Sequence, residues 1–139
     1  MLRKVLGILS FMMVALTFLI IYRCSRSPSL FVTMKNEEII VDVQSWGEYG
    51  AAVKEIEVFE VKTKKLIWKI QSIGKPPVVD KFTLIKGRNN LLPIGLKNKD
   101  YHINVSDSGY GFLLKSKVKY KIKIKGKNGG TKSMEFSFP

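Results

Sequence analysis

Residues 114–127 read LKSKVKYKIKIKGK, and this alternation decides the fold class. Successive side chains of a β-strand point to opposite faces, so a period of two predicts a strand with one wet face and one buried face. A helix would scatter the same lysines around its whole circumference. The wet face carries Lys115, Lys117, Lys119, Lys121, Lys123, Lys125 and Lys127, and the buried face carries Val118, Tyr120, Ile122 and Ile124.

The same kind of pattern runs through the rest of the chain after residue 28. Short β-branched and apolar stretches are separated by turn sequences about every ten residues, and no segment there has a helical period. An all-β chain of this kind predicts an antiparallel β-sandwich of seven or eight strands. The other predicted strands are Ser29–Met34, Glu38–Gln44, Val53–Val61, Leu66–Gln71, Asp80–Lys86, Tyr101–Ser106 and Thr131–Phe138.

Two aromatic residues indicate which kind of sandwich this is. Leu114 stands six residues before Tyr120, which resembles the tyrosine corner of fibronectin type III domains. The resemblance implies that the Tyr120 ring enters the core and that its hydroxyl returns to nearby backbone. Trp68, within an apolar strand, is predicted to be a second core anchor. The sequence therefore predicts an immunoglobulin/fibronectin type III-like fold.

An apolar run, Val5–Tyr22, precedes this domain and contains no charged residue. Eighteen helical residues rise about 27 Å, close to the hydrocarbon thickness of a bilayer. The run predicts an uncleaved signal anchor, with a cleaved secretory signal as the alternative. The predicted organisation is an anchor over residues 1–24, a linker over residues 25–28 and a β-sandwich over residues 29–139.

Cys24 lies where a bacterial lipoprotein signal would place its lipidated residue, so lipidation is a possible modification there. The residue before it is Arg23, whereas the lipoprotein pattern asks for Gly, Ala or Ser. Because the charged N-terminal tail is very short, we expect it to stay in the cytoplasm. The domain is then expected on the other side of the inner membrane, in the periplasm or outside.

The charge of the chain points to an acidic partner. The whole chain carries a formal net charge of +13, and most of the excess is lysine. The lysine face is either an attractive surface for an acidic protein or a solvated face balanced by Glu55, Glu57 and Glu135 on neighbouring strands. Nucleic acid is not an expected partner, because readers of single strands interleave aromatic side chains and arginine forks with their positive charge.

The chain is poor in residues that perform catalysis or hold metals. It contains one histidine, His102, and one cysteine. A metal site needs several converging ligands, and no motif supplies a nucleophile elbow. We therefore expect no enzyme activity, no cofactor and no metal.

The layout resembles the type VI secretion immunity periplasmic lipoproteins of bacteria. The similar segments are Val53–Val58, the Leu66-Ile67-Trp68 strand and the lysine-tyrosine strand Lys119–Lys125. The resemblance implies a protein that binds and blocks a toxin in the periplasm. A structural spacer that self-associates is the alternative, and the oligomeric state stays open. The predicted binding residues are Trp46 and Tyr49 in a loop over residues 45–52, Tyr110 in a loop over residues 109–112, and Lys119, Lys121 and Lys123 on the lysine face.

Overall fold

The computed structural model describes residues 1–24, 28–45, 48–106 and 111–139. It contains one N-terminal helix, α1 (Leu2–Cys24), followed by twelve strands within these ranges. The strands are β1 (Ser29–Lys35), β2 (Glu38–Ser45), β3 (Glu48–Tyr49), β4 (Ala51–Glu60), β5 (Leu66–Ser72), β6 (Val78–Val79), β7 (Lys81–Ile85), β8 (Gly87–Asn89), β9 (Tyr101–Ser106), β10 (Phe112–Leu114), β11 (Lys119–Gly126) and β12 (Thr131–Ser137).

Helix α1 is long and apolar enough to cross a membrane. It has 23 residues, and residues 2–21 form a continuous candidate span of which no part is buried against the rest of the protein. At 1.5 Å per residue the helix is about 35 Å long, which exceeds the hydrocarbon core of a bilayer. The predicted apolar helix is confirmed.

The strands form two main antiparallel sheets. In one sheet β2 pairs with β1, β3 and β7. The other sheet has the order β12-β11-β4-β5-β9, and β6 also pairs with the beginning of β4. A two-stranded ribbon of β8 and β10 accompanies them. All eight strands predicted from the sequence are present, so the prediction of an antiparallel all-β chain after residue 28 is confirmed.

Residues of both sheets share one hydrophobic core. Trp68 is fully buried at its centre, where its ring stacks on Phe112 with centroids 5.0 Å apart and its Nε1–H donates to the Leu91 carbonyl at 2.8 Å. The Tyr120 ring is buried too, and its hydroxyl accepts a hydrogen bond from the Lys115 backbone N–H at 2.8 Å. The predicted core positions of both aromatic residues, and the return of the Tyr120 hydroxyl to backbone, are confirmed.

The sequence prediction missed the shortest elements. Strands β3, β6, β8 and β10 have only two or three residues each, and residues Asn98–Asp100 form a single turn of 3-10 helix. A period of two cannot be recognised over so few residues. The strand predicted over Leu114–Lys127 begins only at Lys119, because Lys117 has a left-handed backbone with φ of 58° and turns the chain.

Candidate functional site

The lysine face of β11 has the alternation that the sequence predicts. Lys119, Lys121 and Lys123 are exposed, whereas Tyr120 and Ile122 between them are buried. Strand β11 lies between β4 and β12, so it has a hydrogen-bonded neighbour on both sides. The outward lysines therefore lie on an interior strand of the six-stranded sheet, next to the edge strand β12.

The lysine face is shorter than predicted. Lys115 and Lys117 precede β11, in the segment where the Lys115 N–H donates to Tyr120 and the Lys117 N–H donates to the Phe138 carbonyl at 2.8 Å. These hydrogen bonds stabilise the turn that leads into β11. Lys115 and Lys117 therefore lie outside the regular alternation of that strand. The face that the structure supports begins at Lys119.

Glu55, Glu57 and Glu135, the three carboxylates predicted to face the lysines of β11, lie opposite them. The register places Lys121 opposite Glu135 and Lys123 opposite Glu57. The Nζ atom of Lys119 lies 3.7 Å from Glu135 Oε2, and that of Lys123 lies 3.8 Å from Glu57 Oε2. Such long, partly exposed ion pairs contribute about 0.2–1 kcal/mol at most.

Lys69 on β5 was not predicted to take part, yet it makes the shortest contacts with these carboxylates. Its Nζ lies 2.9 Å from Glu57 Oε1 and 3.3 Å from Glu55 Oε2. The hydrogen bond to Glu57 is the main reason that the pKa of Lys69 is raised above its usual value. The two central carboxylates therefore share the cation of β5, and the positive charge of β11 is only partly compensated.

Lys121 lies at the centre of that uncompensated charge. Among the described residues, no carboxylate oxygen lies within 4.0 Å of its Nζ, since Glu135 opposite it pairs with Lys119. Its ammonium group is exposed to solvent. Coulombic attraction is felt most where no internal partner already satisfies the charge, so Lys121 is available to an external anion.

Beside Lys121 lies a shallow groove with an apolar floor, which we call the Phe59 groove. It has a volume of about 410 Å³ and is lined by Phe59, Val61 and four longer polar side chains. Those four are Glu60, Lys64, Lys121 and Lys123. An apolar floor with three lysines and one glutamate around it suits a segment that carries an acidic group next to a large apolar side chain.

The Phe59 groove was not predicted from the sequence, although the position of Phe59 in the strand pattern indicated an outward-facing apolar side chain. Phe59 follows Glu55 and Glu57 with a period of two, which places it on the outward face. It lies opposite Lys121 in the register of β4 and β11. A large apolar residue at an outward position in line with two carboxylates was the available clue.

Tyr49, one of the aromatic residues predicted for binding, does not lie on this face. Tyr49 is 80% exposed on β3, next to the beginning of β4, whereas Lys119 lies beside the end of β4. Ten residues of strand separate these two ends by about 30 Å. Trp46 and Tyr110 lie outside the described residues, so their predicted roles stay predictions.

The two loops that were expected to carry these aromatic residues also differ from the prediction. Residues 45–52 were expected to form one loop, but Glu48–Tyr49 pairs with β2 and Ala51 begins β4. The loop expected over residues 109–112 ends earlier, because Phe112 is buried in β10 against Trp68.

Two further predicted positions can be located. Cys24 is the last residue of α1, and His102 is exposed on β9 opposite Gln71. Within the described ranges, no three His, Cys, Asp or Glu side chains come together in a group that could hold a metal ion.

Comparison of the chain with protein-family models, curated proteins and solved structures gives no match. A function for this chain is therefore inferred from the fold, the lysine face of β11 and the Phe59 groove.

Proposed function

We propose that this protein is a membrane-tethered, non-enzymatic binding module of the bacterial cell envelope, and that its partner is a protein with an acidic surface. The observation that carries this proposal is the lysine face of β11, where Lys121 has no carboxylate partner among the described residues and borders an apolar groove. A partner that places a carboxylate at Lys121 gains an attraction that no ion pair of this lysine within the described residues offsets.

We propose an immunoglobulin/fibronectin type III-like fold for the domain, and the strand order supports it. In such domains three strands of one sheet, A, B and E, face a second sheet in which C lies between F and C′. Here β1-β2-β7 corresponds to the first sheet and β12-β11-β4-β5 to the second. The segment from β8 to β10 would then be an insertion between strands E and F.

We place residues 5–22 across the inner membrane, with the β-domain in the periplasm or outside. The length and apolar surface of α1 support the membrane span. The short basic tail before Val5 supports a cytoplasmic N-terminus. Lipidation of Cys24 is not part of the proposal, since Arg23 departs from the lipoprotein pattern.

The resemblance to type VI secretion immunity proteins supports a periplasmic toxin as the acidic partner. A protein that inhibits by binding needs a rigid scaffold with complementary charge and no chemistry of its own. Strand β11 supplies a rigid scaffold with positive charge, because a strand that is paired on both sides holds its outward side chains at fixed spacing.

The test compares two full-length variants that change the same amount of charge at different places. The sheet-face variant carries Lys119→Glu, Lys121→Glu and Lys123→Gln, where glutamine avoids placing a new carboxylate against Glu57. The end variant carries Lys75→Glu, Lys97→Glu and Lys99→Gln. Both are expected to remain folded, because no ion pair that holds the core is removed.

Affinity capture with the full-length protein in detergent, at low and at raised salt, measures partner binding. We expect a salt-sensitive partner that the wild type and the end variant retain and the sheet-face variant loses. In a cell that receives the toxin, the same variant is expected to lose protection. Equal capture by all three proteins would contradict the proposed face.

The alternative is a structural spacer that acts through self-association, and one feature favours it. Among the described residues, β1 pairs with β2 alone, and Phe31 and Met34 on it are exposed. An edge strand with exposed apolar side chains can pair with a second copy. Recovery of only the protein itself in the capture experiment, together with a dimer in solution, would support the spacer.

A further inference from the structure

One end of the domain carries both the link to α1 and the chain segments between several strands. Pro28, which precedes β1, lies within 3.2 Å of the position that a Cβ atom on Gly126 would take, so the β11–β12 turn packs against the start of the domain. We call this the Pro28 end. Its described segments are residues 48–50, 73–80, 97–100 and 126–130.

Backbone hydrogen bonds hold these segments together. The Lys127 N–H donates to the Ala52 carbonyl at 2.9 Å, and the Val53 N–H donates to the Pro77 carbonyl at 3.0 Å. A third bond joins Ile73 to the Asp100 carbonyl at 3.0 Å. The Pro28 end is therefore one connected surface, formed where β4, β7, β9 and β12 begin and where β5 and β11 end.

The linker keeps this surface near the end of α1. Only three residues lie between Cys24 and Pro28, and four Cα–Cα steps of 3.8 Å span at most about 15 Å. If α1 crosses the bilayer, the Pro28 end cannot lie further than this from the end of the helix. The headgroup region of a bilayer is about 5–8 Å thick on each side, which is within the reach of this linker. Contact between this end and the headgroups therefore needs no change in the domain.

The composition of the Pro28 end suits such contact. Three large apolar side chains are highly exposed there: Tyr49 at 80%, Val78 at 73% and Ile73 at 57%. The surrounding exposed cations are Lys54, Lys75, Lys97, Lys99 and Lys127. Three carboxylic residues, Glu48, Asp80 and Asp100, belong to the same segments and Lys54 lies just outside them, so the five lysines exceed these carboxylates by two. Apolar tips with surrounding lysines are typical of surfaces that enter the headgroup layer of anionic membranes.

We propose that the Pro28 end docks on the anionic headgroups of the membrane that holds α1, with Tyr49, Ile73 and Val78 entering the headgroup layer and the lysines pairing with lipid phosphates. This inference rests on the membrane tether of the proposed function. A lipid surface fits better than a soluble acidic protein, because the linker brings headgroups to this end at all times.

Docking would fix the orientation of the lysine face relative to the bilayer. Strands β4 and β11 run between the Pro28 end and the opposite end of the domain, so they would stand away from the bilayer. Lys119 and the Phe59 groove would then lie about 20–30 Å from the docked surface, beyond two Debye lengths at physiological salt. The two basic surfaces would serve different partners without competing for either.

The experiment uses the full-length chain with Cys24→Ser, reconstituted in nanodiscs. An environment-sensitive fluorophore is attached to Asn98→Cys at the Pro28 end, or to Thr63→Cys in the β4–β5 turn at the opposite end. One set of discs contains phosphatidylcholine alone, and the other contains phosphatidylcholine with phosphatidylglycerol. We expect a blue shift of the residue 98 probe only in the anionic discs, reversed by raised salt, and no shift of the residue 63 probe.

The matched charge variants make the test specific. The end variant is expected to lower the ratio of docked to undocked protein by about tenfold or more, since each lysine near an anionic surface contributes on the order of 1 kcal/mol. The sheet-face variant is expected to leave the shift unchanged. Equal emission from residue 98 in both kinds of disc, an equal effect of both variants, or a shift that depends on the number of chains per disc would overturn the docking inference.

If α1 is not a membrane anchor, the experiment gives a result that differs from a failure of docking alone. Release of the chain from the discs by alkaline carbonate would overturn the membrane anchor, and docking with it. Firm retention without a response to anionic lipid would overturn docking alone and leave the proposed binding function in place.

Discussion

The Lys69 ammonium group lies 2.9 Å from Glu57 Oε1 and joins the outward faces of β5 and β4. Glu57 is only 8% exposed, which makes it one of the few buried charged residues among those described. Because Lys69 also lies 3.3 Å from Glu55, one cation is shared by two carboxylates. Lys69 thereby takes up part of the negative charge that would otherwise face the β11 lysines.

Replacing Lys69 with methionine should destabilise the domain by about 1–3 kcal/mol, since the nearly buried Glu57 carboxylate loses its closest partner. Urea unfolding followed by circular dichroism measures the loss. Lys121→Met is the matched control, because the Nζ of Lys121 has no carboxylate within 4.0 Å among the described residues. Equal destabilisation by both substitutions would contradict the role assigned to Lys69.

The Tyr120 hydroxyl should contribute about 1 kcal/mol through its hydrogen bond with the Lys115 N–H. Tyr120→Phe keeps the buried ring and its contact with Phe136 at a centroid distance of 5.6 Å. For a domain of this size the loss corresponds to a fall in Tm of about 5 °C. Tyr49→Phe, at an exposed position, is expected to leave the Tm unchanged in the same thermal scan.

Alkaline pH should weaken the fold through Tyr101. Burial raises the pKa of this tyrosine well above its usual value, and its hydroxyl donates to the Val53 carbonyl at 3.1 Å. Above about pH 10 the unfolded chain loses the phenolic proton while the folded chain keeps it, so the free energy of unfolding falls as pH rises. The raised pKa of Lys69 acts in the same direction.

The contribution of Tyr101 can be separated by substitution. Tyr101→Phe is expected to lower stability at neutral pH, because the Val53 carbonyl loses its hydrogen bond, and to reduce the slope of stability between about pH 9 and 11. An unchanged alkaline slope in urea titrations of the variant would contradict the assignment.

Gly111 should tolerate no side chain. Its φ is 142°, and a Cβ atom built there would collide with the Asn89 carbonyl oxygen. Gly111→Ala is expected to cost more than about 2 kcal/mol from backbone strain and the displacement of β8 from β10. Gly129→Ala is the control, since it has φ of 82° but open space around it and should cost only about 1–2 kcal/mol. Similar losses would show that the collision is relieved at little cost.

The larger strands could be predicted because burial in a sheet imposes a local period of two. The pattern located β11 and the outward carboxylates Glu55, Glu57 and Glu135, and it identified Tyr120 and Trp68 as core residues. The position of β11 between β4 and β12 followed from the sandwich topology assumed for the chain, and the register confirms it.

The rest depends on contacts between distant parts of the chain. That Lys69 reaches Glu57, 12 residues away, depends on the β4–β5 register, which includes an irregularity next to Phe59. The clustering of Tyr49, Ile73 and Val78 at one end depends on which strand ends meet. No local pattern encodes either fact. Accordingly, the separation of Tyr49 from the lysine face by the length of β4 could not be predicted from the sequence.

The position of β11 inside its sheet has a consequence for how the proposed recognition could change over generations. With its backbone groups bonded on both sides, β11 offers a partner only side chains, and these alternate strictly with the residues that fill the interior. Substitutions at Lys119, Lys121 and Lys123 could therefore track an altered partner one residue at a time, while Tyr120, Ile122 and Ile124 preserve the scaffold.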